Sequence, residues 1–310
     1  LPLFNRAIAG TYPPGSTVKP MVGLAALQEG LITPSTEIDD RGKLVIPNQF
    51  DPSIKYDFWG WTHTGLGPIN IYEAIAQSDD IYFYTVAGGY PNSPVPQGLG
   101  AEKLADYYRK FNLGRTTGID LPGEKPGTVA DPAWKAQYFK DDPILSKWYL
   151  GDTYHIGIGQ GDMLVTPLQV AEWTSIIANN GVGYVPQVLN KVVDAEGRTV
   201  MQNQPKILVQ KFLDQANLEV IQQAMRDTVT VGSGRLLDKL PLPAAGKSGT
   251  SQFDGSDPTK THAWFTAYAP FDDPQIAVTV LVEAGGEGHI TAEPVVRDAI
   301  AWWAKNRYNK

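Results

Sequence analysis

Hydrophobic positions change their spacing twice along this chain. Val18, Met21, Val22, Leu24, Ala25 and Leu27 crowd the stretch after Ser16, so a helix is predicted from Ser16 to Gly30, apolar around most of its circumference and therefore buried. Pro20 is compatible with it because first-turn residues have no backbone donor to lose, and Pro2, Pro13, Pro14 and Gly15 predict an extended approach. Residues 31–69 read as irregular apart from a short strand over 43–46. Asn70 is a candidate N-cap for a helix ending at Ala76, and the spacing of Ile81, Tyr84 and Ala87 predicts a second helix from Asp80 that stops at Gly88-Gly89. Residues 101–111 read as an amphipathic helix ended by Gly114, and Thr166-Pro167 opens another that closes near Asn180-Gly181.

Beyond Gly183 the period falls to two. A hairpin is predicted around Ala195-Glu196-Gly197, a helix over 212–229, and strands over 243–251, 262–269 and 275–283. The last strand is almost unbroken apolar and β-branched sequence, which predicts cover on both faces, with 292–306 (Val295, Val296, Ile300, Trp303) as a covering helix. The expected architecture is α+β: an antiparallel sheet backed by helices, with a helical region inserted before it.

Composition narrows the function. The chain has 310 residues, 42% hydrophobic and 19% charged, enough for one large domain or two small ones. Lys and Arg (26) are outnumbered by Asp and Glu (33), a net charge of -7 that argues against nucleic acid as a partner. With no cysteine, disulfides, thiolate metal sites and a Cys nucleophile are excluded. No window approaches a membrane span, and the start at Leu1 carries neither Met nor a signal segment, so the expectation is a soluble piece of a longer protein. The histidines at 63, 155, 262 and 289, even with Asp51 or Asp57 near His63, lack the spacing of a metal site, so no metal and no cofactor is expected. Trp59, Trp61 and Trp302-Trp303 read as packing residues.

Three clusters carry candidate chemistry. In Ser16-Thr17-Val18-Lys19, helical spacing puts Ser16 and Lys19 on one face, about 5–6 Å apart at Cβ. Ser16 is then a nucleophile and Lys19 the base that takes its proton, provided desolvation or a second cation such as Lys247 keeps the lysine neutral. The Ser16 backbone N–H, at a helix start, can face a developing oxyanion. Ser78-Asp79-Asp80 has two readings: an ordinary helix end followed by an N-cap at Ser78 or Asp79, or a site in which Ser78 relays a proton toward a leaving amine while Asp80 bonds Lys19. Lys247-Ser248-Gly249-Thr250 is the most specific cluster and falls on a predicted strand. Gly249 would let a substrate lie along the strand edge, Ser248 and Thr250 with Lys247 would bind a terminal carboxylate, and the Thr250 N–H would be the second oxyanion donor.

In this order the clusters match the Ser-x-x-Lys, Ser-x-Asn/Asp, Lys-Ser/Thr-Gly signature of penicillin-binding proteins and serine β-lactamases. Over nearly its whole length the chain resembles the transpeptidase domain of class B penicillin-binding proteins, and within them the elongation-type branch, penicillin-binding protein 2. The segments that carry the likeness are 5–20, Ser78-Asp79-Asp80, 157–169 and 247–250. The resemblance implies a five-stranded antiparallel sheet between helices, a helical subdomain, and an active site at their seam, with 1–310 as one transpeptidase domain. It further implies that Ser16 attacks the penultimate D-Ala carbonyl of a peptidoglycan stem peptide, that an acceptor amine resolves the acyl-enzyme, and that β-lactams acylate the same serine. An N-terminal membrane anchor, a pedestal domain, a periplasmic location and a SEDS-type glycosyltransferase of the rod-shape machinery as partner are likewise implications. A D,D-carboxypeptidase stays open, differing only in using water, as does a serine β-lactamase, although the Glu-x-x-Leu-Asn segment that supplies the base in class A enzymes is absent from this sequence; a non-catalytic β-lactam sensor or scaffold is the rival from another class.

Overall fold

The computed structural model describes residues 3–48 and 51–308. A short helix α1 (Arg6–Ala9) and an extended run lead into a 3-10 turn, Gly15–Val18, which continues directly as α2 (Lys19–Gln28). Every residue from Lys19 to Leu27 is buried, as an all-round apolar helix must be. Residues 31–69 are more regular than predicted. They hold β1 (Ile38–Asp40) paired with β4 (Gly67–Ile69), and β2 (Lys43–Pro47) paired with β3 (Lys55–Trp59). These strands are short, and β3 is largely exposed, so no long alternation marks them in sequence.

Then come α3 (Ile71–Ala76), closed by a capping box between Asn70 and Glu73, and α4 (Asp80–Gly88). They are followed by α5 (Ala101–Lys110), α6 (Pro132–Tyr138), α7 (Leu150–Gly157) and α8 (Pro167–Ala178). Helices α6 and α7 were not predicted. Both are under ten residues and leave much of their surface exposed, so their apolar periodicity is too brief to register. Two small ladders, β5 (Gly183–Tyr184) with β8 (Ile207–Val209) and β6 (Lys191–Val193) with β7 (Thr199–Gln202), precede α9 (Gln215–Thr230).

The central sheet has the order β11-β10-β9, from β9 (Ala245–Gln252), β10 (Thr261–Ala269) and β11 (Ile276–Val282), all antiparallel. After it come the single turn α10 (Gly288–Thr291) and α11 (Glu293–Trp303). Alternate residues of β10 face opposite ways. Trp264 and Tyr268 join the core made by α2, α3, α4, α8 and α9, whereas Ala263, Phe265 and Ala267 join a second core with Val296 and Ile300 of α11. The sheet thus lies between two helical layers, as expected.

Two sheet expectations need correction. The described sheet has three strands, not five: β11 has a partner only on its β10 side among the described residues. For the same reason β11 is not fully covered. Helices α8 and α11 pack on it, yet all seven of its residues remain half-buried because its outer edge is open. In α11, Val296 and Ile300 are buried while Val295 is half exposed, the ordinary division of an amphipathic helix.

Candidate active site

The helical region and the sheet meet along a cleft of about 1300 Å³ whose lining includes Ser16, Ser78, Asp80, Ser248, Gly249 and Thr250. The local backbone explains how Ser16 arrives there. Gly15 has φ +55°, and its N–H donates to the Gly159 carbonyl at 2.9 Å. A Cβ at Gly15 would lie 2.6 Å from the Thr250 carbonyl oxygen, and one at Gly159 (φ +73°) would lie 2.3 Å from the Gly15 oxygen. The residue before Ser16 is therefore clamped between β9 and the Gly157–Gly161 loop, and only glycine fits on both sides.

Lys19 is fully buried. Its Nζ donates to Asp80 Oδ1 at 2.7 Å and to the Ser78 carbonyl at 2.7 Å. Ser78 delivers that carbonyl through a left-handed backbone, φ +60°, unusual for a residue with a side chain and held by the joint between α3 and α4. The cap falls to Asp79, whose side chain accepts the Tyr82 N–H at the start of α4, while Ser78 and Asp80 line the cleft. Asp79 and Asp40, each at most 2% exposed, form a buried acid pair; burial first, and the hydrogen bond to Asp40 second, push Asp79 up to about 8.

Lys247 on β9 is also fully buried, opposite Thr266 in the ladder. Burial, reinforced by the nearby charge of Lys19, holds it well below the ordinary lysine range, and Asp80 opposes this only in part. Its Nζ donates to the Ser248 carbonyl at 3.0 Å. Ser16, half-buried, has no hydrogen-bond partner for its hydroxyl among the described residues, and Lys19 is engaged with Asp80 rather than with it.

Gly249 has a second reason to be glycine beyond the substrate edge: a Cβ there would lie 2.8 Å from Thr17 Cγ2 and 3.2 Å from the Pro14 carbonyl oxygen, so the strand packs directly on the turn that carries Ser16. The Thr250 hydroxyl is already engaged, donating to Glu287 Oε2 at 3.3 Å and accepting the Gly288 N–H at 3.2 Å.

Several contributors were not singled out from sequence. Ser233, whose N–H donates to the Ala76 carbonyl at 3.0 Å, places its Oγ 2.8 Å from Ser248 Oγ. Its only sequence signal is a serine between two glycines after a helix. Trp59 and Trp61, read as packing residues, are 44% and 60% exposed and line the cleft, with His63 against the Trp59 ring at 4.7 Å. Among the described residues no three His, Asp or Glu side chains come together in a way that could hold a metal ion. His262 instead stacks on Phe253 at 4.2 Å and accepts the Ala284 N–H at Nδ1.

The site thus brings a serine whose hydroxyl is unpartnered among the described residues to a cleft between a three-stranded sheet and a helical region that buries two lysines. The chain belongs to the penicillin-binding protein transpeptidase family: the family model "Penicillin binding protein transpeptidase domain" matches residues 2–301. It is 35% identical to the peptidoglycan D,D-transpeptidase MrdA of Haemophilus influenzae over 99% of this chain and 46% of that protein. Among solved structures it is similar to Pseudomonas aeruginosa PBP2 in complex with WCK 5153 (TM-score 0.82, 32% identity, 99% of this chain and 64% of that one). A second is the complex between PBP2 and MreC from Helicobacter pylori (0.80, 30%, 98% and 52%). The chain spans about half the length of the curated relatives it matches.

Proposed function

We propose that residues 1–310 form one transpeptidase domain that cross-links peptidoglycan stem peptides through an acyl-enzyme on Ser16. The observation that carries the reading is the meeting of Ser16, Ser78 and Asp80 at one cleft, with Lys19 buried against Asp80 and Lys247 buried within its electrostatic reach, beside a strand edge able to take an extended peptide. Lys19 and Lys247 together face one carboxylate, Asp80. Burial and the nearby charge of Lys19 disfavour charge on Lys247, so the site holds a buried lysine able to take up and pass on a proton.

In the acylation step Ser16 Oγ passes its proton to Lys19 and bonds to the penultimate D-Ala carbonyl carbon. The C–N bond to the terminal D-Ala breaks, and its nitrogen receives a proton through Ser78. The oxyanion is met by the Ser16 and Thr250 N–H groups, and the terminal carboxylate by Lys247, Ser248 and Thr250. In the second step an acceptor amine bonds to the ester carbon, the C–O bond to Ser16 breaks, and the amine's proton returns to Ser16 through Lys19. β-Lactams acylate the same serine.

The relatives named MrdA and the PBP2 structures support placement in the elongation branch, at the outer face of the cytoplasmic membrane. The PBP2–MreC complex and the similar chain solved in a peptidoglycan synthase complex support partners in the cell-wall machinery, and we extend this to a membrane-anchored full-length protein with a SEDS-type glycosyltransferase among its partners. Among the described residues no helix is long and apolar enough to cross a membrane.

The test is direct. Fluorescent penicillin should add one label by intact mass, absent from Ser16→Ala, and a pentapeptide donor with an amine acceptor should give a cross-linked product and free D-Ala. Labelling that persists in Ser16→Ala would overturn the assignment of the nucleophile; D-Ala release with no amine incorporation would make the domain a carboxypeptidase.

A further inference from the structure

The second half of transpeptidation needs a place for the acceptor, and the cleft has a wall that the donor does not use. Gly15 is held between Thr250 on one side and Gly159 on the other, so Ser16 is flanked by β9 and by the Gly157–Gly161 loop. The donor occupies β9 in the reading above. Three residues beyond Gly159 stands Asp162, which lines the same cleft and, at the maximal reach of three residues, is at most about 11 Å along the chain from the clamp on Gly15.

Asp162 is half-buried, and its carboxylate has neither hydrogen bond nor ion pair among the described residues. The nearby cation does not supply one: Lys135 Nζ is paired with Asp152 at 2.7 Å. His155, on the same wall, is held below the ordinary imidazole range mainly by desolvation. Desolvation likewise raises Asp162, while Lys135 and His155 oppose and Asp152 reinforces that shift. Trp134 and Tyr138, stacked at 4.8 Å, complete this end of the cleft with an apolar wall. An unpaired carboxylate beside aromatic faces fits an ammonium group on an aliphatic stem.

We infer that Asp162 is the acceptor-selecting residue of this domain: its carboxylate receives the side-chain ammonium of an incoming diamino-acid residue and holds it on the side of Ser16 opposite the donor strand. The inference rests on the acyl-transfer reading of Ser16. Before attack the bound ammonium gives one proton to the Asp162 carboxylate, which releases it to solvent; the neutral amine then bonds to the ester carbon, and its one remaining excess proton returns to Ser16 through Lys19 as in the step above.

The experiment measures partition of the acyl-enzyme, which is independent of how fast it forms. The purified protein is given a D-alanyl thioester donor with either Nα-acetyl-D-lysine amide, a cation at pH 7.5, or hydroxylamine, neutral at that pH. The ratio of aminolysis to hydrolysis with the lysine amide should fall about tenfold in Asp162→Asn, recover in Asp162→Glu, and stay the same with hydroxylamine. Equal ratios in parent and Asp162→Asn with the lysine amide, or an equal fall with hydroxylamine, would overturn the inference. Failure of the parent to release thiol from the donor would instead overturn the acyl-transfer reading beneath it.

Discussion

Lys19 Nζ and Asp80 Oδ1 meet at 2.7 Å in a site where the lysine has no solvent exposure. A buried ion pair of this kind is strongly destabilising to break from one side, because the remaining charge has no partner. Asp80→Ala should therefore cost on the order of 3–5 kcal/mol in urea unfolding, and isosteric Asp80→Asn less. Loss of the carboxylate also releases Lys19 Nζ from the contact that fixes it, so penicillin acylation should slow by about 10- to 100-fold in Asp80→Asn. Parent-like acylation would exclude Asp80 as the group that positions Lys19.

Gly159 is the second half of the clamp on Gly15. In Gly159→Ala the new Cβ must displace the Gly15 carbonyl from 2.3 Å while occupying φ +73°. The expected cost is about 1–2 kcal/mol from the backbone alone, and displacement of Ser16 should lower the acylation rate by roughly 100-fold. Parent-like acylation would show that this contact does not position the nucleophile.

Glu287 occupies the Thr250 hydroxyl that the donor carboxylate is proposed to use. Glu287→Gln should remove a like charge from that carboxylate's path and raise the second-order rate of acylation by a penicillin about two- to fivefold, with a weaker dependence on salt. A rate unchanged at low and high ionic strength would remove Glu287 from the donor site.

Glu172 is 5% exposed, and its Oε1 has no partner; burial raises it to about 8. A carboxyl raised in the folded state binds more protons than in the unfolded chain. Its share of stability is present below the unfolded value near pH 4 and is lost as pH rises through about 8. Glu172→Gln, neutral throughout, should match the parent near pH 4 and exceed it by on the order of 1–3 kcal/mol at pH 8.5. Urea midpoints that keep the same separation at both pH values would contradict this. Asp79, raised in the same direction, should leave a residual slope of the same sign in the variant.

How much of the fold could be read in advance depended on the length of each periodic pattern. The helix after Ser16, the Asn70 and Thr166 caps and the three strands of the sheet were legible because each combines several residues of one spacing with a stop or start residue. Helices α6 and α7 and the strands β1, β3 and β4 were not, although β2 falls on the strand expected over 43–46, since a run of three to eight residues with few buried side chains carries little period. The exposed positions of Trp59 and Trp61 were also illegible: an aromatic side chain reads the same in a core as on a cleft wall.

The amino-acid sequence by itself determined the reactive inventory. Ser16 and Lys19 share a helical face, Asp80 follows a cap, and Lys247 lies on a strand, because local spacing and local backbone preference suffice for these relations. Only the tertiary structure decided which atoms meet. It turned Lys19 toward Asp80 and the Ser78 carbonyl rather than toward Ser16, left Asp162 unpaired on the wall across from β9, and set Ser233 against Ser248. Those choices depend on partners up to 61 residues apart in the chain for Lys19 and on burial that removes water from both lysines. Long-range packing and desolvation have no signature in a local window of sequence, and they decide where the protons and the open positions of this site lie.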